Sequence, residues 1–245
     1  MKRISTIILL VVFIASGNGF AQSLEEILKN HAEIMGFDKL ASQKTMIITG
    51  KSQRGGNDSP FTIYIKGKKS RYESDFMGNK MIRVFDGSTG WMTNPRDGSI
   101  RELEGRMLQQ MSQATQLGGI LYQWKEKNFK IELEGKEKFE GTDVFKLKVT
   151  REDDVVTYAY LDCESYVLLK QTSLRVFQGN EFESNTLFSN YQMVEGVAVA
   201  FNSETTSSGS GGPGRGGRGM GGAEVIEKVE FNKPIDDALF KKPEK

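Results

Sequence analysis

Apolar residues along the chain recur first at helical spacing and then, past about residue 45, at every second position. Leu24, Ile27, Leu28, Ala32 and Met35, with His31 among them, predict one face of a helix. Ser23 can cap it, Glu26 three residues on can complete a capping box, and Gly36 can end it. Phe37, Leu40 and Ala41 predict one further short turn.

The period then changes to two. Phe61, Ile63 and Ile65 alternate with Thr62, Tyr64 and Lys66, and Phe145, Leu147 and Val149 alternate with Lys146 and Lys148. Phe182, Thr186 and Phe188 share a face opposite Glu181, Glu183 and Asn185. Val197, Val199 and Phe201 predict another strand, and Val225, Val229 and Phe231 a last one, with Lys228 and Glu230 turned away. Turn signals such as Gly78-Asn79, Asp86-Gly87, Asp97-Gly98 and Glu140-Gly141 separate these runs. The spacing predicts about ten or eleven strands without helical crossovers, and therefore an antiparallel sheet. The class is mainly β, with helices added to it.

One segment interrupts the meander. Between residues 104 and 125, Met107, Leu108, Met111, Ala114 and Thr115 fall on one side of a predicted helix. Ile120, Leu121 and Trp124 predict a second short helical segment after Gly118-Gly119. The sheet thus has three apolar helical faces to bury.

Residues 207–222, SSGSGGPGRGGRGMGG, contain a G-x-G-x-x-G spacing at Gly212, Gly214 and Gly217. A dinucleotide site needs a helix directly after such a loop, whereas the sequence that follows alternates as a strand. Arg215 and Arg218 are too few for an RGG segment that binds nucleic acid. A long flexible hairpin loop is the expected structure, because many glycines are costly to order.

The first residues read as a signal peptide, 1–21. Lys2 and Arg3 precede the apolar run Ile7 to Ile14, too short to span a bilayer, and Gly19-Phe20-Ala21 fits the small-x-small cleavage rule. Cleavage after Ala21 would leave residues 22–245 as a single domain outside the cytoplasm, and no Cys at that site argues for a lipid anchor. Loss of Lys2 and Arg3 from the 33 basic residues leaves one fewer than the 32 acidic ones, so charge offers no case for nucleic acid. The single cysteine, Cys163, rules out a disulfide within the chain.

Catalytic chemistry has few candidates. The one histidine, His31, reads as a helix-face residue, and Cys163 as a turn residue between Tyr160 and Tyr166. There is no metal-ligand cluster with recognisable spacing and no Walker loop, so neither an enzyme nor a cofactor is expected. An outer-membrane barrel is disfavoured by Lys146, Lys148, Glu181 and Glu183 on the face away from the core.

The positive signal is apolar. Met77, Met81, Met92, Met107 and Met111 cluster in sequence around Trp91, with Trp124 just beyond. Methionines fill ordinary cores, and they also line adaptable apolar binding surfaces. On the second reading, a cavity between sheet and helices has as candidate wall or lid residues Ile63, Phe76, Met81, Phe85, Trp91, Met107, Leu108, Met111, Leu121 and Trp124. On the first, the interior is filled and the protein is an interaction module.

The order of segments resembles the LolA-like outer-membrane lipoprotein-sorting proteins. The residues that carry it are Leu24-x-x-Ile27-Leu28, Met35-Gly36-Phe37-Asp38-Lys39-Leu40, Pro60 to Tyr64, Arg71-Tyr72-Glu73 and, most specifically, Phe85-Asp86-Gly87-x-x-Gly90-Trp91. Tyr160-Leu161-Asp162 and Ile235 to Phe240 continue the match. The resemblance implies a strongly curved, half-open antiparallel barrel whose concave apolar face is covered by helices. It implies a monomeric periplasmic carrier or sensor of the acyl chains of a lipoprotein or lipid, with membrane-bound donor and acceptor proteins as further partners. Arg54, Arg71 and Arg83 are the candidates for the family's opening arginine, and the stretch 207–222 is an insertion.

Overall fold

A computed structural model describes residues 22–54, 57–76, 78–113, 118–151, 155–177, 180–209 and 221–243. The proposed signal peptide and residues 210–220 lie outside these. The predicted first helix is α1, Leu24–Met35, and its capping box is present: Ser23 Oγ accepts from the Glu26 amide at 3.2 Å, and Glu26 Oε2 from the Ser23 amide at 3.0 Å. Gly36, with φ 67°, ends α1 and leads into α2, Phe37–Ala41.

Thirteen strands follow, more than expected. They are β1 Thr45–Arg54, β2 Asn57–Lys66, β3 Lys69–Phe76, β4 Asn79–Phe85, β5 Gly90–Thr93 and β6 Ile100–Leu103, then, after a helix, β7 Lys130–Phe139 and β8 Thr142–Thr150. The remainder are β9 Val156–Asp162, β10 Leu168–Phe177, β11 Asn180–Val194, β12 Val197–Gly209 and β13 Gly222–Phe231. β5 and β6 have four residues each, too few for an alternating pattern to declare itself. All join one antiparallel sheet in the order β6-β5-β4-β3-β2-β1-β13-β12-β11-β10-β9-β8-β7. The sheet does not close, which fits a curved, half-open barrel.

The inserted helix is α3, Gly105–Gln113. No second helix follows it: residues 118–128 form a run of turns, with Gly119, Gln123 and Asn128 at positive φ. Three such residues within ten cannot belong to a right-handed helix. Lys127 Nζ, lying over the Tyr122 and Phe129 rings, braces these turns by donating to the Tyr122 carbonyl at 2.5 Å. Strands also reach into the stretch read as a loop, since β12 runs to Gly209 and β13 begins at Gly222.

Cross-strand partners share a face, so the register assigns each apolar cluster to a side of the sheet. One side carries two clusters. Met46, Ile48, Phe61, Ile65, Val199 and Phe231 pack with Leu40 of α2 and Tyr122. Phe145, Leu147, Val149, Ala159 and Leu161 pack with Ile27 of α1 and Leu121. Val84, Trp91, Ile235 and Phe240 form a third, on the opposite side with Ile47 and Tyr64. It is covered by the short 3-10 turn Asp237–Phe240, capped by Asp236. Lys66 and Lys69 hold the Asp237 carboxylate at 2.7 and 2.8 Å, and Arg71 donates to the Leu239 carbonyl at 2.7 Å.

A bulge corrects one predicted face. β1 pairs Thr49 with Lys228 and Gly50 with Ile226, leaving Glu227 unpaired. The extra residue reverses the alternation, so Ile226 rather than Val225 joins Val229 and Phe231 in the core.

Candidate functional site

Two contacts tie α1 and α2 to turns of the sheet. Gly36 approaches the turn between β11 and β12 so closely that a Cβ there would lie 2.0 Å from the Gly196 carbonyl oxygen. His31, 2 % exposed, puts Nδ1 2.7 Å from the Tyr166 carbonyl oxygen in the β9–β10 turn. Phe37 meets the His31 ring edge-on at 5.3 Å and Tyr122 at 5.1 Å, which joins helix, sheet and the 118–128 turns.

Beneath these elements lies a cavity of about 310 Å³. Ile48 of β1, Phe61, Ile63 and Ile65 of β2, and Ile226 of β13 line one wall. Phe188 and Tyr191 of β11, with Ala198 and Val199 of β12, line another. His31 and Met35 of α1 and Leu121 of the turns complete it, and Ser203 and Glu224 form a polar end. Tyr191 does not present a free hydroxyl, since it donates to the Leu168 carbonyl at 2.7 Å, and burial pushes its pKa up.

Two titratable groups near the cavity favour their uncharged forms. Burial lowers the His31 pKa to about 4, against a smaller opposing effect of its bond to Tyr166. Burial also pushes the Cys163 thiol up, so it is protonated at neutral pH. No group of three metal-ligating side chains occurs among the described residues, and no described helix is long and apolar enough to cross a membrane. The lining offers an apolar ligand a surface.

Two further hollows are less suited to such a ligand. One of about 330 Å³ is framed by Gln53, Asp58, Glu204 and Thr205, and is open and polar. The other, about 290 Å³, lies between α1, α2 and the 118–128 turns and shares His31 and Leu121 with the cavity.

The ten candidate residues do not all converge. Ile63 and Leu121 line the cavity. Trp124 borders the neighbouring hollow. Phe85 shares the cavity face through its row with Ser70 and Ile65, and Met81 through Ser74 and Phe61. Phe76 ends β3 opposite Asn79, and its side chain is outside the described set. Leu108 of α3 sits against Gly90, where a Cβ would lie 3.0 Å from its Cδ1. Met111 is half-buried on the same helix, while Met107 is 43 % exposed.

Trp91 is elsewhere. Its row runs through Val84, Arg71 and Tyr64, on the opposite side of the sheet under the C-terminal turn. The Phe85-Asp86-Gly87 segment does set the hairpin leading to it. Asp86 accepts hydrogen bonds from the amides and hydroxyls of Ser88 and Thr89; burial pushes its pKa up, but those bonds outweigh it and hold the pKa near about 2. Of the arginines, Arg71 is committed to Leu239 and Glu73, whereas Arg83 lies over Tyr72 on the cavity face. The Arg54 side chain is outside the described set.

His31, Met35, Tyr191 and Ile226 were not among the candidates, although all four line the cavity. The helical spacing of His31 and Met35 placed them on the buried face of α1 and was the available signal.

The strand order and the helices set against it can now be compared with known structures. A LolA superfamily protein from Nitrosomonas europaea matches over 91% of this chain and 99% of its own, with a TM-score of 0.60 and 12% identity. The chain has the LolA-like fold. A DUF1329 family protein from Desulfovibrio piger matches with a TM-score of 0.56 and 13% identity, over 88% of this chain and 97% of that one. A domain designated an outer membrane lipoprotein-sorting protein, from Vibrio parahaemolyticus, gives 0.54 and 16%, over 87% and 95%. No family model and no curated protein matches the sequence. The LolA-like likeness therefore rests on three-dimensional structure and covers nearly the whole described chain.

Proposed function

We propose that this protein is an exported, non-enzymatic carrier or sensor that holds the acyl chains of a lipid or lipoprotein in the cavity beneath α1. The observation that carries the reading is the cavity itself: about 310 Å³, walled by Ile48, Phe61, Ile63 and Ile226, inside a LolA-like fold. Apolar cavities of about half that volume take up benzene, and ligand pockets begin at about 300 Å³. Each methylene transferred from water contributes about 0.8 kcal/mol, so one buried chain supplies several kcal/mol after its ordering is offset. α1, α2 and the 118–128 turns act as the lid over the inner face of a half-open barrel. Residues 1–21 direct the chain to the periplasm, where such a cargo would cross between membranes.

The test is titration of the purified protein, residues 22–245, with a fluorescent long-chain fatty-acyl probe. Ile63→Trp and Ile226→Trp should each project a larger side chain into the cavity and weaken binding at least tenfold, with the β-sheet circular dichroism kept. Unchanged binding in both folded variants would refute the assignment of the site.

A further inference from the structure

The cavity face is not apolar throughout, and its polar part is ordered in rows. Phe188, Ser203 and Glu224 are cross-strand neighbours on β11, β12 and β13, and all three line the cavity. Two residues further along the same strands, about 7 Å away, the next row on this face is Gln171, Thr186 and Thr205. The row beyond is Thr157, Ser173, Ser184 and Ser207, spanning β9 to β12. Apolar Leu147, Val149 and Ala159 occupy the same rows on β8 and β9, so this is the cavity side of the sheet.

These side chains already bond to each other. Thr186 and Thr205 hydroxyls are 3.0 Å apart, Ser207 donates to Ser184 at 3.2 Å, and Thr157 and Ser173 are 3.2 Å apart. Gln171 Nε2 donates to Ser173 at 3.4 Å. A hydroxyl offers one proton and two lone pairs, so each bonded pair keeps a donor and acceptor sites unused. Apart from Thr157, these bonded side chains are half-buried, which leaves them reachable.

The charge pattern selects among head groups. Within the three rows the one charged group is Glu224, at the cavity end. Arg175 lies one row further out, placed over the Phe182 ring at 5.2 Å. Among the described residues of these rows, a phosphate held next to the cavity would meet a carboxylate and neutral hydroxyls and no cation, whereas a polyol can donate to Glu224 and exchange hydrogen bonds with the ladder.

We infer that the hydroxyl rows on β10–β12 form a head-group shelf, and that the ligand is an amphiphile with an uncharged, hydroxyl-bearing head, its chain in the cavity and its head on Thr186, Thr205 and their neighbours. This inference rests on the acyl-binding reading and narrows it to a ligand class. Sugar and glycerol heads share the required chemistry.

Calorimetric titration with single-chain dodecyl amphiphiles, below their micellar concentrations, separates the possibilities. The set is dodecyl glucoside, monododecanoylglycerol, dodecyl phosphate and dodecyltrimethylammonium. The glucoside, the glycerol ester or both should bind about tenfold or more tighter than the two charged compounds, the difference of one or two well-made hydrogen bonds. The paired variant Thr186→Val with Thr205→Val should remove that preference while leaving the affinity for dodecyl phosphate unchanged. Equal or tighter binding of the phosphate, or an equal loss for all four compounds in a folded variant, would overturn the shelf and leave the cavity standing. No binding of any of the four would refute the acyl reading, and the shelf with it.

Discussion

The Nδ1–H of His31 donates to the carbonyl of Tyr166 over 2.7 Å, tying α1 to the turn between β9 and β10. A carbonyl has no proton to give, so Nδ1 carries the hydrogen, and burial, which lowers the pKa to about 4, leaves the ring neutral at pH 7. The turn is prepared for this: Asp162 accepts from the Glu164 and Ser165 amides, and Tyr166 takes up a positive φ of 59°. The same ring borders the cavity, so a helix that lines the cavity is held by a group sensitive to protonation.

That contact gives a pH dependence of stability. Burial lowers the His31 pKa from 6.5 to about 4, so between those values the unfolded chain binds the proton and the folded chain does not. Stability contributed by the neutral ring is complete above pH 6.5 and is lost progressively as pH falls toward 4. The loss should reach about 2 kcal/mol at pH 5. Urea denaturation at pH 7.5 and pH 5 measures it, and in His31→Asn the difference between the two pH values should shrink by about that amount.

Gly36 should tolerate no side chain. Its φ of 67° disfavours a Cβ, and that Cβ would stand 2.0 Å from the Gly196 oxygen. Gly36→Ala is expected to cost about 2 kcal/mol or more, combining left-handed strain with displacement of the helix from β12. The same change at Gly67, also at positive φ (57°) but with open space around it, should cost only the conformational part. Chemical denaturation of the two variants separates the terms.

Trp91 should matter for stability and not for ligand. It is buried on the side of the sheet away from the cavity, and its indole N–H has no hydrogen-bond partner among the described residues. Trp91→Phe therefore removes an unsatisfied donor along with some packing, and a net cost near 1 kcal/mol is expected. Acyl-probe affinity should not change. The variant also leaves Trp124, within the 118–128 turns, as the sole tryptophan. Its emission should then report ligand entering next to these turns.

The sequence made some of this legible and hid the rest for identifiable reasons. α1 was readable because Ser23, Glu26 and Gly36 mark both ends, and long strands such as β2 and β8 because their alternation persists. β5, with Gly90, Trp91 and Met92 all buried, shows no alternation, so the side chosen by Trp91 could not be read. The bulge at Glu227 is a matter of pairing, which no single strand records, and it moved Ile226 into the cavity wall. The apolar residues of 120–124 do pack inward, but positive φ at Gly119 and Gln123 makes them turns rather than a helix. The apolar character of the cavity lining was legible in the sequence. Which residues line the cavity depends on register, and Met107 and Met111 lie on α3 rather than in that lining.

The central claim is that the cavity holds an acyl chain. Native mass spectrometry of the protein purified from the periplasm of a two-membrane bacterium, followed by solvent extraction of whatever it carries, tests this most directly. The account predicts a stoichiometric acyl-bearing species that is lost in Ile63→Trp. A protein that is empty as isolated, and still empty after incubation with phospholipid, a lipopeptide and dodecyl glucoside, would contradict it.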